Sequence, residues 1–209
     1  MTETRAEQKE RTRRAILDAA LDLTEETGLA GLSLRGVAKR VGIVPTAFYR
    51  HFDSIDALGL ALVEESLVSL RAMLRAVRQP DGAHSPIGIA DTSVRVLVEH
   101  VHAQRAHFGF LARERAAGPA TVRDAIRREI ELCELDLATD LARLTDARTW
   151  SALDLRAASG LIVTLMVTAA EELVTARPDQ EETIAQTART RLRMVLIGAL
   201  NWRSGPPVG

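Results

Sequence analysis

The string GIVPTAFYRHF holds the side chains with the clearest chemical purpose in this chain. Phe48 and Phe52 stand four residues apart, so on a helix they share one face and are expected to anchor it in a core. Thr46, Tyr49 and Arg50 fall on the opposite face. A tyrosine and an arginine on an exposed helix suit contacts with phosphates and base edges. The alternative is that Tyr49 packs against the preceding helix.

Two neighbours and the local charge extend this hypothesis. His51 supplies a further donor for a phosphate, and Pro45 suits a first helical position, where free N–H groups of the first turn can meet a phosphate. Residues 27–52 contain four basic residues and no acidic one, and residues 1–52 contain nine basic and seven acidic residues in a chain of net charge −1. Such a basic surface is compatible with phosphate binding, although a solvated charged face is the alternative interpretation.

Helices are the elements expected to position these residues. The stretches between prolines are rich in Ala, Leu, Arg and Glu, and alternating β-branched segments are missing, so the predicted fold class is all-α. Ser33 is placed to cap a second helix, Gly42 to end it, and Ser54 to cap a long fourth helix. This pattern predicts a three-helix, helix-turn-helix domain over residues 1–53. The long fourth helix joins it to a larger helical domain over residues 54–209.

The larger domain is predicted to contain five more helices after a linker at residues 79–91, which gathers two prolines and two glycines. These helices are expected near residues 92–104, 105–116, 119–145, 152–177 and 179–202. The fourth of them contains GLIVTLMVTAAEEL and is apolar nearly all round, which indicates that a partner subunit covers part of it.

The N-terminal residues resemble the TetR family of bacterial transcriptional repressors. The resemblance rests on Thr12, Ile16, Ala20, Gly28, the strings SLRGVAKRVGI and FYRHF, and Leu58. It implies a recognition helix that enters the major groove and carries Thr46, Tyr49, Arg50 and His51. It implies a preceding helix that braces it against the phosphate backbone through Ser33, Arg35 and Lys39. It further implies a homodimer, formed through the last two helices, that binds palindromic double-stranded operator DNA.

Three positions depart from the wider family pattern. Val44 stands where many members have a Ser or Thr that caps the recognition helix, so the cap hydrogen bond is expected to be missing. Gly36 stands where an acidic residue commonly completes a capping box with Ser33. Ile55 replaces a lysine that often contacts phosphate.

The strings PTAFYRHF, DALGLALVEES and FGFLARERAAG look like the fatty-acid-biosynthesis repressors of the FabR and DesT type. This narrower resemblance implies a small hydrophobic effector, long-chain acyl-CoA, and control of fatty-acid or lipid metabolism. It also implies a basic N-terminal extension, whose Arg5, Lys9 and Arg13 would enter the minor groove. A frayed, solvated terminus is the alternative for this extension.

An acyl chain requires an apolar tunnel. The aliphatic and aromatic residues predicted to line it are Leu70, Met73, Leu74, Leu97, Val101, Phe108, Leu111, Ile126 and Ile130. Arg113 and Arg115 are candidates for the CoA phosphates or the thioester carbonyl. An ordinary filled core, with these arginines paired to Glu114 or another acid, is the competing interpretation.

Other classes of protein find little support in the sequence. Cys133 lies on an apolar stripe, and neither a nucleophile elbow nor a phosphate loop occurs, so we expect no enzyme, catalytic residue or cofactor. His100, His102 and His107 lack metal-ligand spacing, so no metal site is expected. With a single cysteine, no signal peptide and no apolar run of spanning length, a cytoplasmic protein without membrane attachment is predicted. A repressor of an efflux or antibiotic-related gene that senses a small hydrophobic drug is the alternative regulator, although only seven residues are aromatic.

Overall fold

The computed structural model describes residues 4–78, 85–143 and 150–204, and every regular element within them is helical, as the sequence predicts. The α-helices in chain order are α1 (Arg5–Thr27), α2 (Leu34–Val41), α3 (Pro45–Phe48), α4 (Ile55–Arg78), α5 (Pro86–Ala103), α6 (Arg105–Ala117), α7 (Ala120–Arg143), α8 (Ala152–Thr175) and α9 (Pro178–Asn201). A short 3₁₀ helix, Leu29–Gly31, follows α1.

The chain folds into two compact units. The first unit comprises Met1–Leu70 and Ala106–Arg127, and the second comprises Arg71–Arg105 and Arg128–Gly209. The first unit therefore contains α1 to α3, the N-terminal part of α4, nearly all of α6 and the start of α7. The predicted division between residues 53 and 54 separates α1 to α3 from the rest of the chain, and it stays a prediction.

Local sequence signals set the ends of the helices in the first unit. The Oγ of Ser33 accepts from the N–H of Gly36 at 3.1 Å, which is the predicted cap of α2. Gly42 ends α2 in the left-handed region, with a φ of 76°, where glycine is favoured. The Oγ of Ser54 accepts from the N–H of Ala57 at 3.0 Å and caps α4. These three sequence predictions are confirmed.

A buried glutamate anchors α6 to the end of α1. The side chain of Glu114 is 2% exposed, and its Oε1 accepts from the N–H of Leu29 at 2.8 Å. The Nη1 of Arg113 donates to the carbonyl oxygen of Thr24 at 2.9 Å, and the N–H of Gly28 donates to the same carbonyl. The guanidinium of Arg113 thus helps to fix α6 on the end of α1, and its interpretation as a group that meets the CoA phosphates stays a prediction.

The second unit is built on α5, α8 and α9, which pack together. The Nη2 of Arg105 donates to the carbonyls of Val174 at 2.7 Å and Ala176 at 3.1 Å, and so satisfies groups at the end of α8. Arg71 donates from Nε and Nη2 to the two carboxylate oxygens of Glu129, at 2.6 and 2.9 Å. Cys133 is buried, in keeping with its predicted place on the apolar stripe.

The predicted linker is shorter than expected, because α5 begins at Pro86 rather than near residue 92. Proline is tolerated at the first helical position, and the Oγ of Ser85 accepts from the N–H of Gly88 at 3.1 Å, so the pair starts the helix. Pro86 therefore starts a helix and does not mark a linker. Residues 79–84, including Pro80, and residues 144–149 at the predicted end of α7 lie outside the described residues.

The helices α8 and α9 leave large apolar side chains exposed. They are Leu153 and Leu161 on α8, and Met194, Ile197 and Leu200 on α9. Judged by length and composition alone, α8 is long and apolar enough to cross a membrane, with a mean hydropathy of 1.6 over 18 residues. This corrects the expectation that no segment would qualify. The helix packs against α5 and α9, and 28% of this window is buried.

We expect Glu114→Ala to lower the free energy of unfolding by about 1–3 kcal/mol, because it leaves the buried N–H of Leu29 without an acceptor. Urea denaturation followed by circular dichroism measures this difference. The control is Glu26→Ala, which truncates an exposed glutamate at the end of α1 and is expected to change stability by less than about 0.5 kcal/mol. Equal losses in the two variants would contradict an anchoring role for Glu114.

Candidate nucleic-acid interface

The helix-turn-helix arrangement is formed by α2, a glycine turn and α3. After Gly42, the chain runs extended through Val44, with φ −74° and ψ 146°, and α3 begins at Pro45. Val44 makes no side-chain cap hydrogen bond, as its apolar side chain predicts. The fixed φ of proline pre-organises the first turn instead.

The helix α3 is shorter than the sequence predicted. Regular α-helix ends at Phe48 rather than at Phe52, because the next turn tightens. The N–H of Arg50 donates to Ala47 at 3.2 Å and the N–H of His51 donates to Phe48 at 2.8 Å, both of which are i to i−3 bonds. The N–H of Phe52 returns to the i−4 carbonyl of Phe48 at 3.1 Å, so the chain keeps turning in the same sense.

The inner face of this segment is nevertheless the predicted one. Phe48 is fully buried and Phe52 is 4% exposed, with ring centroids 5.8 Å apart. The guanidinium of Arg13 from α1 lies 4.4 Å from the centroid of the Phe52 ring, a cation–π distance. The two phenylalanines and this arginine hold α3 on the rest of the first unit.

The outer face carries Thr46, Tyr49 and Arg50, all of them exposed. Tyr49 is 57% exposed and meets the edge of the neighbouring Phe48 ring at a centroid distance of 6.0 Å. The alternative in which Tyr49 packs against the preceding helix therefore does not describe this structure. Side chains with donors and an aromatic ring are left free for a ligand that approaches α3.

The helix α2 presents its two predicted cations, Arg35 and Lys39, on the exposed surface. Ser33 lies at the start of the same helix. Its Oγ accepts a hydrogen bond from the N–H of Gly36, and its hydroxyl proton is available to a second acceptor. The neighbouring Arg40 differs, since it reaches Asp22 on α1 at 3.5 Å.

The N-terminal basic residues lie on a helix, which corrects the expectation of an extended or frayed arm. Thr4 and Glu7 form a capping box, so α1 begins at Arg5. Arg5 and Lys9 are exposed along α1, but Arg13 is half-buried. Besides stacking on Phe52, Arg13 donates from Nη1 to the backbone oxygen of His51 at 3.4 Å. Arg13 therefore positions the α3 segment, and its predicted contact with the minor groove is not what its geometry favours.

His51 lies at the end of the α3 turn and is half-buried. Burial lowers its pKa from the usual 6.5, and the nearby positive charges of Lys9, Arg13 and Arg50 lower the pKa further. Its Nδ1 is buried and has no hydrogen-bond partner within the described part of the chain. The lowered pKa favours the neutral ring, which offers a phosphate an N–H donor rather than a positive charge.

The residues predicted to line an effector tunnel divide between the two units. In the first unit Phe108 and Ile126 are buried, Leu70 and Leu111 are half-buried, and Arg115 is exposed. In the second unit Met73, Leu97 and Val101 are buried and Ile130 is half-buried, while the side chain of Leu74 lies outside the described residues. A groove of about 570 Å³ along α9, from Glu182 to Met194, is bordered by none of them. Their role as a lining stays a prediction.

Sequence reasoning missed Glu114, because a glutamate between two arginines is typical of a solvated surface. The sequence feature that points to a close contact at this position is Gly118, four residues later. A Cβ at Gly118 would lie 2.6 Å from the carbonyl oxygen of Glu114, which indicates a tight corner. The histidines considered as metal ligands have separate partners, since His102 meets Glu181 and His107 meets Ser66. Within the described residues, no group of three or more ligating side chains could hold a metal ion.

Comparisons with known proteins decide the type of domain. Residues 16–62 match the family described as bacterial regulatory proteins, tetR family. This match spans α1 from Ile16, α2, α3 and the start of α4. The N-terminal part of the chain is thus similar to transcriptional regulators of the TetR type. In general, TetR-type regulators are DNA-binding proteins without enzymatic activity.

Solved structures extend the likeness to the whole fold. A TetR-family transcriptional regulator from Streptomyces coelicolor is 19% identical over 92% of this chain and 97% of its own, with a TM-score of 0.69. A transcriptional regulator from Rhodococcus sp. Rha1 is 18% identical over 89% and 96%, with a TM-score of 0.65. The TetR-family regulator PfmR from Thermus thermophilus is 20% identical over 87% and 97%, with a TM-score of 0.58. At these identities the likeness shows that the chain has the TetR fold.

The stability of this protein is expected to fall as the pH drops below 6.5. Burial lowers the pKa of His51 and also that of His107, so below 6.5 the unfolded chain binds more protons than the folded one. Urea denaturation at a series of pH values from 7.5 to 5 measures the slope, with both histidines replaced by glutamine in a second protein. An unchanged slope in the double variant would show that other groups control the pH dependence.

Proposed function

We propose that this protein is a cytoplasmic, homodimeric repressor that binds palindromic operator DNA through α2 and α3 and responds to long-chain acyl-CoA. The DNA-binding part of this proposal rests on the α3 segment, which has one buried face and one exposed face. Phe48 and Phe52 are buried, whereas Thr46, Tyr49 and Arg50 are exposed. Within the described residues, the side chains of Thr46, Tyr49 and Arg50 make no hydrogen bond or ion pair, and their chemistry suits a DNA groove.

The charge of the surrounding helices supports the same partner. Exposed cations lie on α1 at Arg5 and Lys9, on α2 at Arg35 and Lys39, and beyond α3 at Arg50. Residues 27–52 contain no acidic residue that would repel a phosphate backbone. Contacts from α1 and α2 to phosphates would set the position of the protein on the duplex, and contacts from α3 would read the bases.

The exposed apolar residues of α8 and α9 support a dimer formed through the last two helices. Leu161 is 61% exposed, Met194 is 69% exposed and Ile197 is 48% exposed. Pairing these surfaces with a second copy would remove them from water, and a two-fold axis brings the same surface from each subunit together. The two α3 segments of such a dimer would face half-sites about 34–36 Å apart, or a multiple of that distance.

The proposal of an acyl effector rests on composition and resemblance. Only seven aromatic residues occur in the chain, and three of them belong to FYRHF, so the larger part is mainly aliphatic. An aliphatic lining favours an acyl chain over a flat cationic drug. The strings PTAFYRHF and FGFLARERAAG carry the resemblance to the fatty-acid-biosynthesis repressors. An effector changes DNA affinity only through its different affinities for the two conformations of the protein.

We expect Arg50→Ala to weaken binding to its preferred duplex by about 1–3 kcal/mol and to reduce the preference over random DNA, because Arg50 is placed to contact a base edge. Tyr49→Ala is expected to weaken binding to every sequence by a similar factor, as a phosphate contact would. The measurement is fluorescence anisotropy at fixed salt, with a duplex that the purified full-length protein has selected from a random library.

The matched control for this test is Arg127→Ala. Arg127 belongs to the first unit but lies on α7, where it pairs with Asp124 at 2.7 Å, so its removal should leave DNA affinity unchanged. Equal losses of Arg50→Ala on selected and random duplexes would remove base reading from Arg50. A protein that selects no duplex at all would contradict the proposed function.

Native mass spectrometry of protein purified from its host tests the dimer and the effector together. The expected species has the mass of two chains with a bound molecule of acyl-CoA mass. Leu161→Glu should give a single chain, because it places a charge in the proposed interface, whereas Ile87→Glu, at a position 52% exposed on α5, should leave the dimer intact. A drug-like bound mass would favour the alternative regulator, and protein that is consistently empty would count against lipid sensing.

A further inference from the structure

Val44 is an exposed apolar residue at a position that usually carries a polar one. It is the N-cap residue of α3 and is 64% exposed. Its carbonyl oxygen accepts from the N–H of Ala47 at 2.9 Å, but its side chain caps nothing. Ser, Thr, Asp or Asn here would add a hydrogen bond and stabilise the helix. The chain thus forgoes a stabilising contact and places two methyl groups in water.

The surroundings of Val44 indicate what those methyl groups meet. Val44 begins the same segment that carries the exposed Thr46 and Tyr49, and it lies in the acid-free stretch of residues 27–52. A valine side chain has neither charge nor hydrogen-bond donor, so it contributes nothing to a phosphate contact. In a helix-turn-helix domain, residues at the N-terminal end of the second helix contact base edges.

We propose that Val44 is a specificity-determining residue that reads thymine through its 5-methyl group. This inference rests on the proposed function, and it adds the identity of one base that the protein recognises. Thymine is the base whose major-groove edge carries a methyl group, and apolar side chains recognise that group by contact. Packing the methyl groups of Val44 against it removes both from water, which is a favourable change for a side chain as exposed as this one.

The test removes the methyl group from the DNA and from the protein in turn. In the duplex that the full-length protein selects from a random library, each thymine is replaced by deoxyuridine, which lacks only the 5-methyl group. The wild-type protein is expected to lose about threefold to tenfold in affinity at one thymine position of each half-site. Val44→Ala is expected to bind the unmodified duplex more weakly and to show little further loss at that position. This non-additivity assigns the contact to the pair.

Two further variants separate base reading from folding. Val44→Ser restores a capping side chain, so it should fold at least as stably as the wild type and still lose the sensitivity to deoxyuridine. Val68→Ala truncates a valine that is 56% exposed on α4, and it should keep the full sensitivity of the wild type.

The outcomes distinguish this inference from the function on which it rests. If Val44→Ala and Val44→Ser lose as much affinity on deoxyuridine substitution as the wild type, Val44 does not read thymine, while DNA binding through Arg50 stands. If deoxyuridine weakens binding of the wild-type protein at no thymine position, the inference is likewise overturned. If the protein selects no duplex, the proposed function fails and the inference fails with it.

Discussion

The proposed DNA-binding surface depends on the burial of two phenylalanine rings beneath a helix that is too short to exist alone. A helix of one turn cannot offset the entropy of its own nucleation, so α3 forms only where tertiary contacts hold it. Phe48 and Phe52 supply those contacts, and Arg13 adds to them by lying on the Phe52 ring. The positions of Thr46, Tyr49 and Arg50 all follow from this anchorage.

The positive charges concentrated around α3 repel one another, and they also affect the pKa of His51. Burial lowers the pKa of His51 most, and the charges of Lys9, Arg13 and Arg50 lower it further, so an additional positive charge is disfavoured at this place. The same repulsion acts among the three cations themselves. An approaching phosphate would relieve it, so this repulsion favours an anionic partner without selecting any sequence. Selection among sequences requires contacts of another kind, to base edges and methyl groups.

The features of the fold that depend on interactions between residues close in sequence could be predicted from the sequence. The caps at Ser33 and Ser54, the left-handed Gly42 and the burial of Phe48 follow from residue type and spacing, and the structure confirms them. The start of α5 differs from the prediction because Pro86, which follows the capping Ser85, starts a helix instead of breaking one. The hydrogen bond of Glu114 could not be predicted from local pattern, since its partner Leu29 is 85 residues away along the chain. Arg13 was misplaced for the same reason, because its contact with Phe52 is tertiary.

The corner between α6 and α7 restricts how this sequence can change. A side chain at position 118 would begin 2.6 Å from the Oε2 of Glu114 and also 2.6 Å from its main-chain carbonyl oxygen, so only glycine fits there without a shift of the backbone. The carbonyl oxygen is present whichever residue stands at position 114. Relatives should therefore retain glycine at position 118 even where the acidic residue at position 114 is lost.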